Sequence, residues 1–465
     1  MNVFFSTRGH GPVTFAHALR QGLAPDGGLY VPGDLPSLES APPASASFRN
    51  TAVWAARALL SDALPAHRLD EAVETALNFP VPLIRLEADV WLLELFHGPS
   101  MAFKDVGARF MARAMATLDA EGGAEGAPDA RARFEGDAET APGAGAATAP
   151  DAAPAEPRPR TILAATSGDT GSAVAMAFHD LEGYRTVLLF PSDGVSEHQR
   201  RQMTTLGGNV TAVAVEGTFD DCQRLAKEAF AAAELARTFR LTSANSINIG
   251  RLIPQMFYYL HAAARLGWDA APARFIVPSG NLGNLCAGLL AHRAGMPAEG
   301  FVAATNENRV FPDYLEYKRY APRASLRTLS NAMDVGAPSN LERLQWLYGN
   351  DVAAMAHDIT AVSCSDDETL EAIRRAHDRT GVVLDPHTAV GYCALRRVGA
   401  SAGGPTVLLA TAHPGKFPQA VEEAIGRRPP TPPALARILT RPELVVSIAP
   451  SVDALRQVLM EESGP

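Results

Sequence analysis

Basic residues are few beside acidic ones in this chain of 465 residues: 41 Lys and Arg against 51 Asp and Glu give a formal charge of -10. No run of five or more basic residues occurs. That excludes an obvious nucleic-acid partner and leaves solubility as the meaning of the charge. Cysteine is scarcer still. Cys222, Cys286, Cys364 and Cys393 lie far apart, with no C-x-x-C and no zinc-finger spacing. Neither a disulfide framework nor a metal site is expected, and a reducing compartment fits. No stretch reaches the roughly 18 apolar residues that a membrane span needs, and the start, "MNVFFSTRGHGPVTF", lacks a long apolar region. The reading is a soluble cytoplasmic protein with no membrane partner. Also missing are H-E-x-x-H, the P-loop G-x-x-x-x-G-K-[ST], the dinucleotide G-x-G-x-x-G and any long internal repeat.

The composition does support a large core, since 47% of the residues are hydrophobic and the length suits two or three domains. From 121 to 160 the chain reads "EGGAEGAPDARARFEGDAETAPGAGAATAPDAAPAEPRPR", rich in Ala, Gly, Pro and acids. Such a segment cannot bury enough apolar surface to offset its ordering entropy, so a disordered loop insertion is expected. Elsewhere short apolar runs alternate with helical patterns: "TILAAT" then "GSAVAMAFHDL", "TVLLF" then "SEHQRRQMTTL", "NVTAVAV" then "FDDCQRLAKEAFAAAEL", "RFIVPS" then "GNLCAGLLAHRAG", "TVLLATA" then "FPQAVEEAIG". This alternation predicts an α/β chain with largely parallel sheets covered by helices. The first 90 residues differ, with helical patterns near 50–63 and 67–78.

In such folds ligands sit beyond the C-terminal ends of the strands. Four stretches there carry chemistry. In "FHGPSMAFKDVG" the lone Lys104 follows Met101, Ala102 and Phe103. Partial burial lowers a lysine's pKa and frees its amine as nucleophile or base; a lysine that caps a core strand with its head in water is the other reading. "TSGDTGS" (166–172) opens a helix after a strand. It offers an anion site, or a plain N-cap formed by Asp169 or Thr170. "PSGNLGNL" (278–285) places Gly280 and Gly283 around Asn281, Leu282 and Asn284, a pattern suited to a phosphate nest. "LLATAHPGKF" (408–417) brings Thr411 out of a buried strand. A Schiff-base lysine, a carboxylate site, a phosphate cradle and a strand-end hydroxyl are together the parts a pyridoxal phosphate site requires.

With "DGGLYVP", "LELFHGPSMAFKD", "TSGDTGSAVA", "SANSINIGRL", "VPSGNLGN", "AATNEN", "LSNAMDVGAPSN", "DPHTAVGY" and "ATAHPGKF" in this order, nearly the whole chain resembles the threonine synthases of the bacterial and fungal type. These belong to the tryptophan-synthase-β-like, fold type II pyridoxal phosphate enzymes. The resemblance implies two largely parallel-sheet domains facing each other across pyridoxal 5'-phosphate, with a helical N-terminal part. The expected division is 1–90 for the N-terminal domain, 91–104 with 251–465 for the large domain, and 105–250 for the small one. It implies that Lys104 forms the covalent link to the cofactor and acts as the base. Gly280, Asn281, Leu282, Gly283 and Asn284 would hold the cofactor phosphate, and Thr411 would face the ring nitrogen. Where the family more often shows Phe-Gly-Asp, this chain has Leu282, Gly283 and Asn284, so a carboxylate at 284 is not available.

The implied reaction converts O-phospho-L-homoserine and water to L-threonine and phosphate. The substrate brings two anions, so a second anion site is expected: Ser167, Asp169 and Thr170 for its carboxylate, and Asn245, Asn248 and Arg251 of "NSINIGR" for its phosphate. His179, His261, His292 and His377 have no metal spacing and read as structural or exposed. His97 and Asp105 either orient the site or brace a turn. A dehydratase or β-replacement synthase of the same fold is the rival enzyme, and a catalytically silent binding relative is the rival of another class. The expected state is a monomer or homodimer.

Overall fold

The computed structural model describes residues 3–61, 63–121 and 159–461. In chain order its strands are β1 (Phe4–Ser6), β2 (Tyr30–Pro32), β3 (Leu83–Glu87), β4 (Val90–Glu94), β5 (Arg160–Ala165), β6 (Tyr184–Pro191), β7 (Val210–Val215), β8 (Thr242–Ser243), β9 (Ala273–Pro278), β10 (Ala298–Thr305), β11 (Ile359–Ser363), β12 (Thr406–Ala410) and β13 (Val445–Ile448). They form a two-stranded ribbon, a six-stranded sheet ordered β11-β10-β9-β12-β4-β3 and a five-stranded sheet ordered β13-β7-β6-β5-β8. Every pairing in the two larger sheets is parallel except β3 with β4.

Each expected strand and helix pair is present. β5 feeds the helix Asp169–Phe178, β6 feeds Glu197–Thr204, β7 feeds Phe219–Ala231, β9 feeds Gly283–Arg293 and β12 leads to Pro418–Ile425. All eight residues of β6 are buried. Helices cover both faces, which is why these strands read as continuous apolar runs rather than alternating ones. The N-terminal helices Phe48–Leu60 and Ala66–Ala76 lie where the apolar periodicity put them. No helix among the described residues is long and apolar enough to cross a membrane.

Two strand pairings cross the expected domain limits. β3 pairs antiparallel with β4, so residues 83–87 belong to the six-stranded sheet and not to the N-terminal part that was drawn to residue 90. β13 pairs with β7, so the C-terminal strand Val445–Ile448 completes the five-stranded sheet, although 251–465 had been assigned to the large domain as a block. Both reflect strand pairings that local pattern does not encode. Of the 121–160 segment, Glu121 ends the helix Lys104–Glu121 and Arg160 opens β5; the expected disorder between them lies outside the described residues.

The cysteine expectation also changes. Cys364, just after β11, is bonded to Cys393 on the helix Pro386–Val398, whereas Cys222 and Cys286 are free and buried. The two partners lie 29 residues apart with no motif between them, and tertiary packing alone joins them. Glu368 sits beside the pair, but metal ligation needs thiolates and both sulfurs are held in the bond.

Candidate active site

β4 and β12 are neighbours, and the chain leaving each stays paired beyond the sheet. Leu95 N–H donates to the Ala410 carbonyl at 2.9 Å, Phe103 N–H to Thr411 at 2.9 Å and His413 N–H to Met101 at 3.1 Å. Met101 holds a left-handed φ of 57° to make the bend, a conformation that costs a non-glycine residue about 1 kcal/mol. Asp105 braces the turn, its Oδ2 accepting from Ser100 N–H at 2.9 Å. The helix Lys104–Glu121 therefore starts at the mouth of the six-stranded sheet with Lys104 as its first residue.

Lys104 is half-buried, its ammonium 5.8 Å from the Phe103 ring centre. Burial lowers its pKa to about 8, with the charges of Arg251 and Lys416 acting in the same direction and Asp169 opposing. An amine in this range is free base at a useful fraction near neutral pH. Its half-burial beside Phe103 sets it apart from a lysine that caps a strand with its head in water.

The loop after β5 faces it. Gly168 is the N-cap of Asp169–Phe178, and the side chain that caps its first turn is Thr166, whose Oγ1 accepts from the Gly171 N–H at 2.8 Å; neither Asp169 nor Thr170 is the cap that one sequence reading allowed. Ser167 and Thr170 are half-buried. Asp169 is 4% exposed, and its Oδ1 accepts from Lys416 Nζ at 2.6 Å and from Gln199 Nε2 at 2.9 Å. Burial pushes its carboxyl upward, but the positive charges of Lys416 and Lys104, with His387, outweigh this and hold it well below the usual carboxylate range.

The loop after β9 is the glycine-rich one. A Cβ at Gly280 would lie 2.6 Å from the Met333 Cα, so only glycine fits there. Leu282 adopts the left-handed φ of 60° and precedes the helix Gly283–Arg293, which has no side-chain cap. Its first N–H groups are thus left for an anion. Asn281 bridges outward, Nδ2 to Ser246 Oγ at 2.6 Å and Oδ1 from Ser339 N–H at 2.5 Å. Asn284 turns inward, its Oδ1 accepting from the Tyr258 and Tyr259 hydroxyls, each at 2.7 Å.

The residues expected at the substrate phosphate divide. Asn245 anchors to the Ala165 carbonyl at 2.9 Å with Nδ2 and leaves Oδ1 buried without a partner. Asn248 is occupied by structure: it caps Ile249–Leu252 through Gly250 N–H and donates to the Leu19 and Ser243 carbonyls. Arg251 is buried, donates to the Ala244 carbonyl at 2.5 Å and packs its Nε against Gly107 on the Lys104 helix. Thr411 is 4% exposed, and its N–H donates to Thr388 Oγ1 at 3.2 Å. Thr388 donates in turn to Asp385 Oδ2, and the other Asp385 oxygen meets His387 Nδ1 at 2.8 Å. His387 Nε2 lies 3.2 Å from the Ala332 nitrogen on the other side of the ring.

Buried Asp105 Oδ1, Asn245 Oδ1, Arg251 Nε and Asn284 Nδ2 carry no hydrogen bond. Unmatched polar atoms in a folded core mark a place where a polar ligand completes the structure. The two unpartnered donors among them, Arg251 Nε and Asn284 Nδ2, together with the N–H groups at the start of Gly283–Arg293 and the Gly280 cradle, fit a phosphorylated cofactor held beside Lys104.

Sequence reasoning missed Lys416, Gln199, Ser246, Asn340 and Arg343. Arg343 is fully buried and ties Tyr30, Ser246, Ile247 and Asn340 together with four donated bonds. These residues lie in or beside the quoted motifs, but their partners are distant in sequence. The histidine readings hold: His261 meets Thr51 Oγ1 at 3.1 Å and His292 the Met296 carbonyl at 2.9 Å, both fold contacts. His97 pairs with Glu94 at 2.7 Å and braces the strand end.

The pattern described as "Pyridoxal-phosphate dependent enzyme" matches residues 75–412, "Threonine synthase N terminus" matches 3–77 and "Threonine synthase, C-terminal" matches 388–459. The threonine synthases of Serratia marcescens and Escherichia coli are each 38% identical over 96% of both chains. The crystal structure of the Escherichia coli enzyme superposes with a TM-score of 0.85 at 36% identity, covering 98% of this chain and 99% of that one. A structure of PLP-bound threonine synthase from Brucella melitensis gives 0.85 at 34% identity and 99% coverage of both. Maize serine racemase, 14% identical with a TM-score of 0.51, shares the fold alone. The chain belongs to the threonine synthase family, pyridoxal-phosphate-dependent lyases of fold type II.

Proposed function

We propose that the chain converts O-phospho-L-homoserine and water to L-threonine and phosphate, with Lys104 as cofactor lysine and base. The observation that carries this is the position of Lys104: half-buried at a helix start, tied through backbone to Thr411 and close enough to Asp169 for their charges to act on each other. Gly280 to Asn284 would hold the cofactor phosphate, largely through the N–H groups at the uncapped start of Gly283–Arg293. The Thr411 hydroxyl would face the ring nitrogen. When bound, the cofactor supplies the electron withdrawal that acidifies the substrate's α-proton.

The protein's own groups do the rest. Lys104 Nζ, lowered to about 8, is placed to take the α-proton and to return it at the end. Ser167 and Thr170, with the N–H groups of Asp169 and Thr170 at the helix start, would bind the substrate carboxylate. Arg251, whose buried Nε has no partner, would receive the leaving phosphate, and Asn245 would border this subsite with its Nδ2 tied to the Ala165 carbonyl. Asn248, fully engaged in capping, would shape this subsite rather than touch substrate. Loss of phosphate breaks the γ-carbon to oxygen bond; the β-carbon gives up one proton and the γ-carbon gains one to become the methyl, and the hydroxyl of water ends on the β-carbon.

A phosphorylated substrate does not cross a bilayer unaided, which supports consumption in the cytoplasm where it is formed. We take the enzyme as a monomer or homodimer, distinguishable by sedimentation. The reaction is tested by assaying threonine and inorganic phosphate from O-phospho-L-homoserine: equal release supports it, and phosphate with 2-oxobutyrate instead would place the chain with the dehydratases.

A further inference from the structure

Lys416 is fully buried, although it lies in the loop that leaves a strand. It closes the short turn Pro414–Lys416, whose start is fixed by His413 Nδ1 accepting from Gly415 N–H at 3.0 Å. From there Nζ reaches two other segments at once. It donates to Asp169 Oδ1 at 2.6 Å, at the helix start beyond β5, and to the Ser100 carbonyl at 2.9 Å, on the turn that leads into Lys104. The same two acceptors are reached from the helix Glu197–Thr204: Gln199 donates to Asp169 and Gln202 to Ser100. Gln199 is in turn held by Asn331 at 2.9 Å. One ammonium therefore joins the loop beyond β12, the Lys104 turn and the first residue of the Asp169 helix.

We propose that Lys416 is a positioning residue for the reaction, a buried strut that fixes the Asp169 helix start against the segment carrying Lys104. The proposal rests on the function given above. A buried ammonium whose only task was cohesion is a poor choice, because its desolvation cancels most of the attraction it gains. Placed here it also shapes the field at the reacting amine. The charged groups acting on Lys104 are Asp169, Arg251 and Lys416, while those acting on Asp169 are Lys416, Lys104 and His387. Lys416 is common to both sets.

The test uses the full-length protein loaded with pyridoxal phosphate, comparing Lys416→Met, Lys416→Arg, Asp169→Asn and the double variant Lys416→Met/Asp169→Asn. The visible band of the cofactor bound to Lys104 is titrated with pH in the absence of substrate, and kcat, KM and Tm are recorded. With Asp169 still ionised, removing the neighbouring cation favours the protonated form, so the midpoint of the band rises in Lys416→Met. Misplacement of the reacting groups lowers kcat by about 100-fold with a smaller change in KM. Lys416→Arg recovers part of both, and the double variant is no slower than Asp169→Asn alone, to within about twofold. An unchanged midpoint with unchanged kcat, or effects of the two single variants that multiply, would overturn the proposal. A change confined to Tm would do the same, leaving Lys416 as cohesion only. If Lys416→Met does not fold, Lys416→Gln, which also removes the charge but keeps a buried donor, is judged by the same midpoint. Because that midpoint is read without substrate, a wild type that fails to turn over O-phospho-L-homoserine would sink the reaction and leave this result standing.

Discussion

The backbone N–H of Phe103 donates to the carbonyl of Thr411 at 2.9 Å, so Lys104, next in sequence, and the hydroxyl at 411 are set relative to each other by main chain. Neither side chain is needed to hold the other in place. Chemistry at either position can be altered without moving its neighbour, and the contribution of each can be measured separately.

Replacement of Thr411 by valine tests this separation. The two residues share a shape, and the backbone bonds to Phe103 and Thr388 remain available. Thr411→Val folds, binds cofactor and loses roughly tenfold in turnover, the worth of about one hydrogen bond. Thr411→Ser stays near wild type. Steady-state kinetics beside a visible spectrum reads both, and a valine variant as fast as wild type would remove Thr411 from the site.

Gly107 sits on the Lys104 helix where a Cβ would lie 2.6 Å from the Arg251 carbonyl. Alanine normally favours a helix interior over glycine by about 1 kcal/mol. Here the contact reverses the sign: Gly107→Ala is expected to lower stability by about 1–3 kcal/mol in denaturant unfolding, because backbone cannot yield cheaply.

Asp105 carries a pH signature. It is fully buried, and burial raises its pKa to about 6, with the Ser100 bond opposing. A carboxyl whose folded pKa lies above its unfolded one binds protons more tightly in the folded state. Its contribution is fully present below about pH 4, the unfolded value, and is lost as pH rises through 6. Wild type should therefore lose about 3 kcal/mol relative to Asp105→Asn between those limits. Thermal melts of the cofactor-free proteins across pH 4 to 7 give the difference; a constant gap would show that the carboxyl does not titrate there.

Much of this arrangement is legible in the sequence because it is local. Runs such as "TVLLF" and "RFIV" mark strands buried on both faces, and the loops that follow them carry Lys104, Asp169, Gly280 and Thr411. What is not legible depends on partners far apart in the chain. The Lys416 to Asp169 contact spans 247 residues, and nothing in "HPGKF" says which carboxylate it meets. The strand Val445–Ile448 is mostly exposed and short, so its pairing with β7 leaves no periodic trace. Asn248 illustrates the converse: an amide in a suggestive motif whose donors are taken by the Leu19 and Ser243 carbonyls.

The Cys364 to Cys393 bond bears on compartment. A denatured thiol titration of protein prepared without added oxidant should count two free thiols, Cys222 and Cys286; a count of four would show that the bond does not form there.

The central claim is that Lys104 is the amine that binds cofactor and moves the α-proton. Its most direct measurement is the release of threonine and phosphate from O-phospho-L-homoserine by wild type and Lys104→Ala, with the borohydride-sensitive visible band followed in both. Equimolar products and a band in the wild type, both absent in Lys104→Ala, are the predicted result. A variant that keeps the band, or that still forms threonine at the wild-type rate, would contradict the assignment.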